Sequence, residues 1–452
     1  MIKVEYDVNV SAPLLARADI VVIGGGPSGV AAAIAARRGG KSVTLLEKSS
    51  HLGGMGTLAN VSVWMDVGNC TGIYREIAAE LMPAWQVELR SEFEALRVAE
   101  QGGLYREMAG SNAAGWENAE AGGLPPFSPF LLRHYLNQKL RKEGVDLLLH
   151  CDYLAPVIDG GRVKSIVCAT REGPRAVAGD MFIDCSGDAR LAVDAGAEYT
   201  LGRREDSLTQ PMTLMFQMQR TDGPVKRFLP EGAPYYENSE ELPQGRRLHF
   251  EVTDTGTLLV NMTRYRGNGA LVRGSTEAEI ETLAQGFGVA DYLQRNGFEN
   301  YILSHVAPQA GVRQTYNIVG EYRLTEEDIL SGRRFDDVIA QSSYPVDIHD
   351  PTGKKGCEIR ETPLYDIPFR CLIPKDSRNV LVAGRCISAT HESMSSLRTQ
   401  ANCYAFGQAA GIGAALSLDQ GVVPQRLDHH ALQAELARQG VHFQGSTEGE
   451  SD

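Results

Sequence analysis

A chain of 452 residues, 43% hydrophobic and 22% charged, is long enough for two or three domains around a large buried core. Its 44 Lys and Arg against 57 Asp and Glu leave a net charge of −13, which argues against non-specific attachment to nucleic acid or to an anionic membrane surface. The longest apolar runs, from Ala18 and over 409–418, are broken by Gly or polar residues and are too short to span a bilayer. The start, MIKVEYDVNV, is charged and alternating, unlike a signal peptide. Val4, Tyr6, Val8 and Val10 alternate with polar residues, so residues 1–18 suit an edge strand or an arm onto a neighbouring subunit of a homo-oligomer. The alternation admits both.

Residues 20–23 form an apolar β-branched run that predicts a buried strand. GGGPSG follows at once, so Gly24, Gly26 and Gly29 stand at the spacing of a dinucleotide fingerprint, with Pro27 and Ser28 inside it and an Ala-rich helix over 30–38. Gly24 makes the tight turn, Gly26 lets backbone N–H groups approach a pyrophosphate, and Gly29 lets helix pack on strand. The diphosphate then sits at the positive end of a helix dipole. A second strand over 42–46 ends in Glu47, eighteen residues after Gly29, an acid placed to accept hydrogen bonds from a ribose diol. In the continuation from Lys48 to Thr57, Gly53, Gly54 and Gly56 flank Met55 and extend the phosphate-approach surface, which separates FAD from NAD. This run resembles the FAD-binding flavoproteins of the glutathione-reductase and fumarate-reductase type, whose second Gly pair follows the ribose acid in the same way.

Residues 59–69 are apolar and predict a segment under the isoalloxazine end of the cofactor. Residues 73–97 read as a helix broken at Pro83, and 101–129, rich in Gly, Ala, Asn and Pro, read as a surface loop or lid in which Trp116 and Phe127 either cap a cavity or pack locally. A helix over 130–143 and a strand over 145–150 return to the nucleotide-binding domain, followed by a β-meander through 170. A strand over 182–184 then leads into CSGDAR, where Gly187 permits backbone approach and Asp188 can take a ribose or amide partner. Residues 201–375 change character, with strand-like alternation over 211–219 and 247–262 and a helix over 276–297, and are assigned to an inserted α+β substrate domain. Thr325 and Asp328 nearly match a capping box. The terminal part repeats the opening pattern: a strand ending in Gly384, the polar segment 385–402, and a small-residue helix from Cys403. That places the polar segment at the carboxyl edge of the sheet, where open α/β folds bind ligands. The expected division is an N-terminal strand or arm (1–18), an FAD-binding domain (19–200 and 376–425), a substrate domain (201–375), and a C-terminal helix and tail (426–452).

GGMGT at 53–57, VGEYRLTEEDIL at 319–330, YPVDIHD at 344–350, YDIPFRCLIPK at 365–375 and VAGRCISATHESMSSLR at 382–398 together resemble the bacterial FAD-dependent oxidoreductases of the FAD_oxidored group. The resemblance covers nearly the whole chain after residue 18. It implies an α/β fold like that of fumarate reductase: a three-layer, Rossmann-like FAD domain with a parallel sheet and β-meander, and FAD held between sheet and C-terminal segment. It also makes CSGDAR the second fingerprint, with Cys185 and Ser186 in place of Ala and Thr, and brings Tyr153 to the adenine through its backbone. Many relatives carry an acid where this chain has Arg385, which suits either the FAD diphosphate or a reduced, anionic flavin.

A flavin carries the electron chemistry, and the protein supplies orientation, proton transfer and electrostatics. His391 and Arg398 pair a proton donor with a cationic anchor, His391 standing near the position of the substrate-binding His of fumarate reductase-like enzymes and set against a role as a hydrogen-bonded structural His. His349 is a second acid/base candidate, set against a structural role. Arg313, Arg360 and Arg370 are candidate bidentate anchors for a carboxylate, each set against an ordinary salt bridge. The eight cysteines show no CxxC and no Cys/His cluster at zinc or iron–sulfur spacing, so no metal is expected and they read as reduced thiols of a cytoplasmic protein. Cys386 is weighed as a reactive thiol beside Arg385 and, more strongly, as a packed one. The reading is an FAD-dependent dehydrogenase or reductase of a small polar or anionic substrate, moving hydride to or from flavin N5. With no second GxGxxG it needs an external electron acceptor or donor. The alternatives are a flavin-dependent hydratase or isomerase, which would turn over without an acceptor, and an electron-transfer subunit.

Overall fold

The computed structural model describes residues 11–65, 68–81, 96–98, 127–245, 247–252, 256–352 and 357–444. Strands β1 (Leu14–Ile23) and β2 (Val43–Glu47) run parallel, Ile20 opposite Val43, and flank helix α1 (Pro27–Arg38). β1 begins at Leu14, inside the segment expected as an edge strand or an arm. Residues 1–10 lie outside the described residues. Beyond β3 (Leu96–Val98), the strands β4 (Asp146–Leu149), β5 (Asp152–Asp159), β6 (Arg162–Thr170) and β7 (Gly173–Asp184) complete most of a seven-stranded sheet, ordered β4-β2-β1-β7-β6-β5. The twelve-residue β7 joins its two halves. The early part of β7 pairs antiparallel with β6, Ser165 opposite Ala178, and its end lies parallel between β1 and the last strand of the sheet, Val380–Val382. The meander is therefore continuous with the parallel sheet.

The four residues from Ile20 to Ile23 are all buried, as expected for a parallel strand covered on both faces. One cover is α1, and behind it lies the small-residue helix Gln400–Gln420. A Cβ on Gly407 would stand 2.0 Å from the Ser28 carbonyl oxygen and one on Gly411 2.3 Å from that of Ala32, so the two helices meet backbone to backbone. This contact brings chain ends almost four hundred residues apart against one another.

Three further strands, β8 (Tyr199–Leu201), β9 (Phe216–Arg220) and β10 (His249–Val252), precede β11 (Thr257–Val260) and β12 (Tyr301–Val306). β12-β9-β11-β10-β3 form a second, antiparallel sheet whose core contains Phe216, Met218, Leu258 and Val260, packed with Val289 and Leu293 of the long helix Val272–Arg295. Short ladders follow: β13 (Tyr316–Ile318) on β8, β14 (Val338–Ser342) with the strand Tyr365–Pro368, and β15 (Val346–His349) with β16 (Cys357–Arg360). The helix expected over 73–97 is corrected: residues 73–81 are helical, but Leu96–Val98 is β3, paired with β10. A sheet edge supplied by distant residues outweighed local propensity there. The expected lid lies outside the described residues up to 126, Trp116 included. Phe127 is buried, its ring 4.6 Å from that of Trp64. The capping box at Thr325 and Asp328 is formed in both directions.

His249 shows what the second core costs in acid. Burial, then nearby Arg247, pushes its imidazole down to about 4 from the ordinary 6.5. Between those values the unfolded chain takes up a proton that the folded chain refuses, so stability is full above pH 6.5 and falls as pH drops toward 4. The loss is about 3 kcal/mol at most. His249→Phe is therefore expected to shrink the difference between urea midpoints at pH 7 and pH 5, and an unchanged difference would refute this.

Candidate active site

A cleft of about 390 Å³ passes the carboxyl ends of β1, β2, β7 and the Val380–Val382 strand. Its lining includes Gly24, Gly26, Pro27 and Ser28 of the turn, Glu47, Lys48 and Tyr153, and Gly54, Met55, Gly187, Asp188, Gly384 and Arg385. Gly29, Gly53, Gly56 and Thr57 do not line it and act from behind. A Cβ on Gly29 would stand 1.8 Å from the Gly24 carbonyl oxygen, one on Gly53 2.8 Å from Thr57 Cγ2, and one on Gly56 2.5 Å from Gln400 Oε1. The Thr57 hydroxyl donates to the Leu52 carbonyl at 2.7 Å, which pins the loop.

Helix α1 starts after Gly26 with no side-chain cap, leaving the amides of its first turn for a ligand. The space where a Gly26 Cβ would sit has only Gly54 Cα, 3.9 Å away, within 4 Å. The Glu47 carboxylate accepts the Gly25 N–H at 2.7 Å and the Ser49 N–H at 2.8 Å, fixing it at the cleft wall with lone pairs to spare. The Tyr153 hydroxyl is engaged by Asp194 at 3.0 Å. Asp188 accepts from Arg385 Nη2 at 3.0 Å and from the Thr315 hydroxyl at 2.9 Å, so it is already committed within the protein. Arg385 Nη1 is buried and without a partner among the described residues. An uncapped helix start, an open Gly26 and a spare guanidinium N–H suit the diphosphate of FAD. Cys386, by contrast, is a packed thiol, and burial pushes its pKa well up despite Arg385.

A second cavity of about 110 Å³ shares Met55, Val312, Arg385, Arg398 and Gln400 with the cleft. Arg313, Asp347 and His349 line it together with Arg398. β15 positions two of them: Asp347 and His349 stand two apart and both are buried. The His349 Nε2 is 3.7 Å from Asp347 Oδ2, and Arg398 Nη2 is 3.5 Å from the same oxygen. Arg313 donates to the Pro211 carbonyl at 2.6 Å and the Thr213 hydroxyl at 2.7 Å, and Arg264 shares that hydroxyl at 2.7 Å. Desolvation, then Arg264 and Arg398, pushes the Arg313 guanidinium well below its ordinary value. Arg313 and Arg398 thus share the cavity wall with one carboxylate, Asp347.

His391 is not among them. It lines neither cavity, and its Nδ1 is 2.7 Å from Gln314 Oε1. The reason is local. Thr390 caps the helix His391–Leu397 through a capping box, which leaves His391 at one end and Arg398 at the other, roughly 10 Å along the axis. Arg370 is bound bidentately to Asp337 at 2.9 Å and 2.9 Å, and Arg360 pairs with Glu326, so both are salt bridges outside the pocket. Sequence reasoning passed over Asp347, Arg264 and Cys357. The signal available for Asp347 was the two-residue spacing in VDIH. Among the described residues, no helix is long and apolar enough to cross a membrane.

A family model described as FAD dependent oxidoreductase matches residues 19–436. No curated protein shows a significant match. Among solved structures the chain is similar to AlpK, with 15% identity, 95% of this chain and 70% of that one covered, and a TM-score of 0.43. It is also similar to a geranylgeranyl bacteriochlorophyll reductase-like protein from Thermoplasma acidophilum, at 12% identity over 94% and 84% with a TM-score of 0.43. The flavin-dependent monooxygenase PieE, solved with FAD and substrate, gives 13% identity over 90% of this chain and 59% of that one, with a TM-score of 0.46. Likenesses this distant say nothing of substrate. The family match is another matter, because it runs unbroken from the strand before Gly24 to the last helix: the chain belongs to the FAD-dependent oxidoreductases.

Proposed function

We propose that this oxidoreductase is a dehydrogenase or reductase of a small anionic organic substrate, bound in the cavity beside Arg313, Arg398 and His349. The observation that carries this reading is the charge of the cavity wall: Arg313, Arg385 and Arg398 line it against one lining carboxylate, Asp347. Desolvated guanidinium groups need a counter-charge, and a carboxylate matches their forked donors. Bound FAD supplies hydride acceptance or donation at N5. Arg398 lines both cavities and so suits an anchor at their junction, with Arg313 holding the far side. His349 is the proton donor or acceptor, its ring oriented by Asp347. The walls supplied by Thr213, Asn261 and Arg313 support an inserted substrate domain over 201–375, and electrons leave or enter through an external partner. Anaerobic mixing with hydroxy acids, polyols and unsaturated acids tests the reading. Flavin bleaching or reoxidation by acids alone is expected, and response to uncharged polyols alone overturns it. His349→Gln is expected to keep its FAD while the rate of flavin reduction or reoxidation by substrate falls about 10²–10⁴-fold. Unchanged stopped-flow traces would remove His349 from the proton path.

A further inference from the structure

β15 and β16 are joined in a register that sets Cys357 directly opposite His349. The sulfur lies 3.1 Å from His349 Nδ1, while the other ring nitrogen faces Asp347. On another side the amide of Gln244, 2% exposed, donates to the same sulfur at 3.4 Å. Cys357 is also the one cysteine of the eight that is not buried. We propose that Cys357, His349 and Asp347 form a thiolate–imidazolium–carboxylate chain, which makes Cys357 a nucleophilic modification site for small disulfides and soft alkylating electrophiles.

The chemistry of the surroundings favours it. A sulfur that accepts from Gln244 and lies against an imidazole nitrogen is well placed to exist as a thiolate, which gains most from a neighbouring imidazolium whose far nitrogen is balanced by a carboxylate. Among the described residues the charged groups around the pair include Asp347 on β15, Asp350 just after it, Arg313 with Arg264 behind it, and Arg398 on Asp347. Along β16, Arg360 stands between Glu326 and Glu358, the latter at 3.4 Å. With a low-molecular-weight disulfide, the Cys357 thiolate attacks one sulfur, the new S–S bond forms as the old one breaks, and the departing thiolate carries off the electron pair and takes a proton from His349 or water. The disulfide is the only oxidant required. The adduct would take the sulfur from His349 Nδ1, tying thiol chemistry to the pocket beside the flavin.

The test needs no substrate and so stands apart from the reading of the pocket. Holoenzyme is treated with iodoacetamide from pH 5 to 10, and the rate of labelling at Cys357 is followed by peptide mass spectrometry. Half-maximal reactivity is expected at least one pH unit below that of an ordinary free cysteine, near 8.5. His349→Gln and Asp347→Asn, checked for retained FAD by visible absorbance, should each slow labelling at pH 6.5 about tenfold or more, and Cys357→Ser should remove the labelled peptide. A wild-type profile at or above the ordinary thiol value overturns the proposal by itself. So does a Cys357 labelled only after denaturation, or a profile that His349→Gln leaves in place.

Discussion

Gly29→Ala is expected to yield protein that has lost at least nine-tenths of its FAD. A methyl group there would lie 1.8 Å from the Gly24 carbonyl oxygen and 2.9 Å from its carbon, both backbone atoms with no side chain to swing aside. Helix α1 cannot retreat, because its far side already meets the terminal helix at Gly407 and Gly411. Overpacking costs typically 1–3 kcal/mol, and this site belongs at or above the upper end. The uncapped amides of α1 would leave the cleft with the helix. Gly223→Ala is the control, since nothing lies within 4 Å of the added carbon. The ratio of flavin to protein absorbance after gel filtration distinguishes them: at least tenfold lower for Gly29→Ala, unchanged for Gly223→Ala. Equal ratios would mean that this turn does not hold the cofactor.

Arg398→Met is expected to keep FAD and lose the substrate. Its guanidinium reaches Gln210 at 3.3 Å and Asp347, and its Nε is buried without a partner among the described residues, a donor left for a bound anion. Truncating one member of a buried, hydrogen-bonded charge pair costs about 2–5 kcal/mol. A fall in kcat/KM of about 10²-fold or more follows, expressed chiefly in KM. Arg398→Lys should recover little, since an ammonium group lacks the planar fork. A normal KM for an anionic substrate in Arg398→Met would dismiss this anchor.

What could be read in the residues, and what could not, divides on distance along the chain. The strand, turn and helix from Ile20 to Arg38, Glu47 at the end of β2, and the helical, small-residue character of Gln400–Gln420 are all set by neighbours within a few residues. Turn geometry, dipole and close packing leave such segments little choice. The pocket is different. That Arg398 points into it while His391 turns to Gln314 depends on where Thr390 starts a helix and on what packs beside its first turn. That Cys357 meets His349 depends on the β15–β16 register. β3 failed for the same reason, since only the distant β10 makes a strand of Leu96–Val98.

The visible spectrum of the purified protein, titrated with a small carboxylic acid, tests the whole arrangement at once. The account predicts oxidised-flavin bands near one FAD per chain that shift saturably as the acid fills the cavity beside Arg398. A colourless protein that takes up no FAD when it is supplied, or flavin bands indifferent to every acid tried, would contradict it.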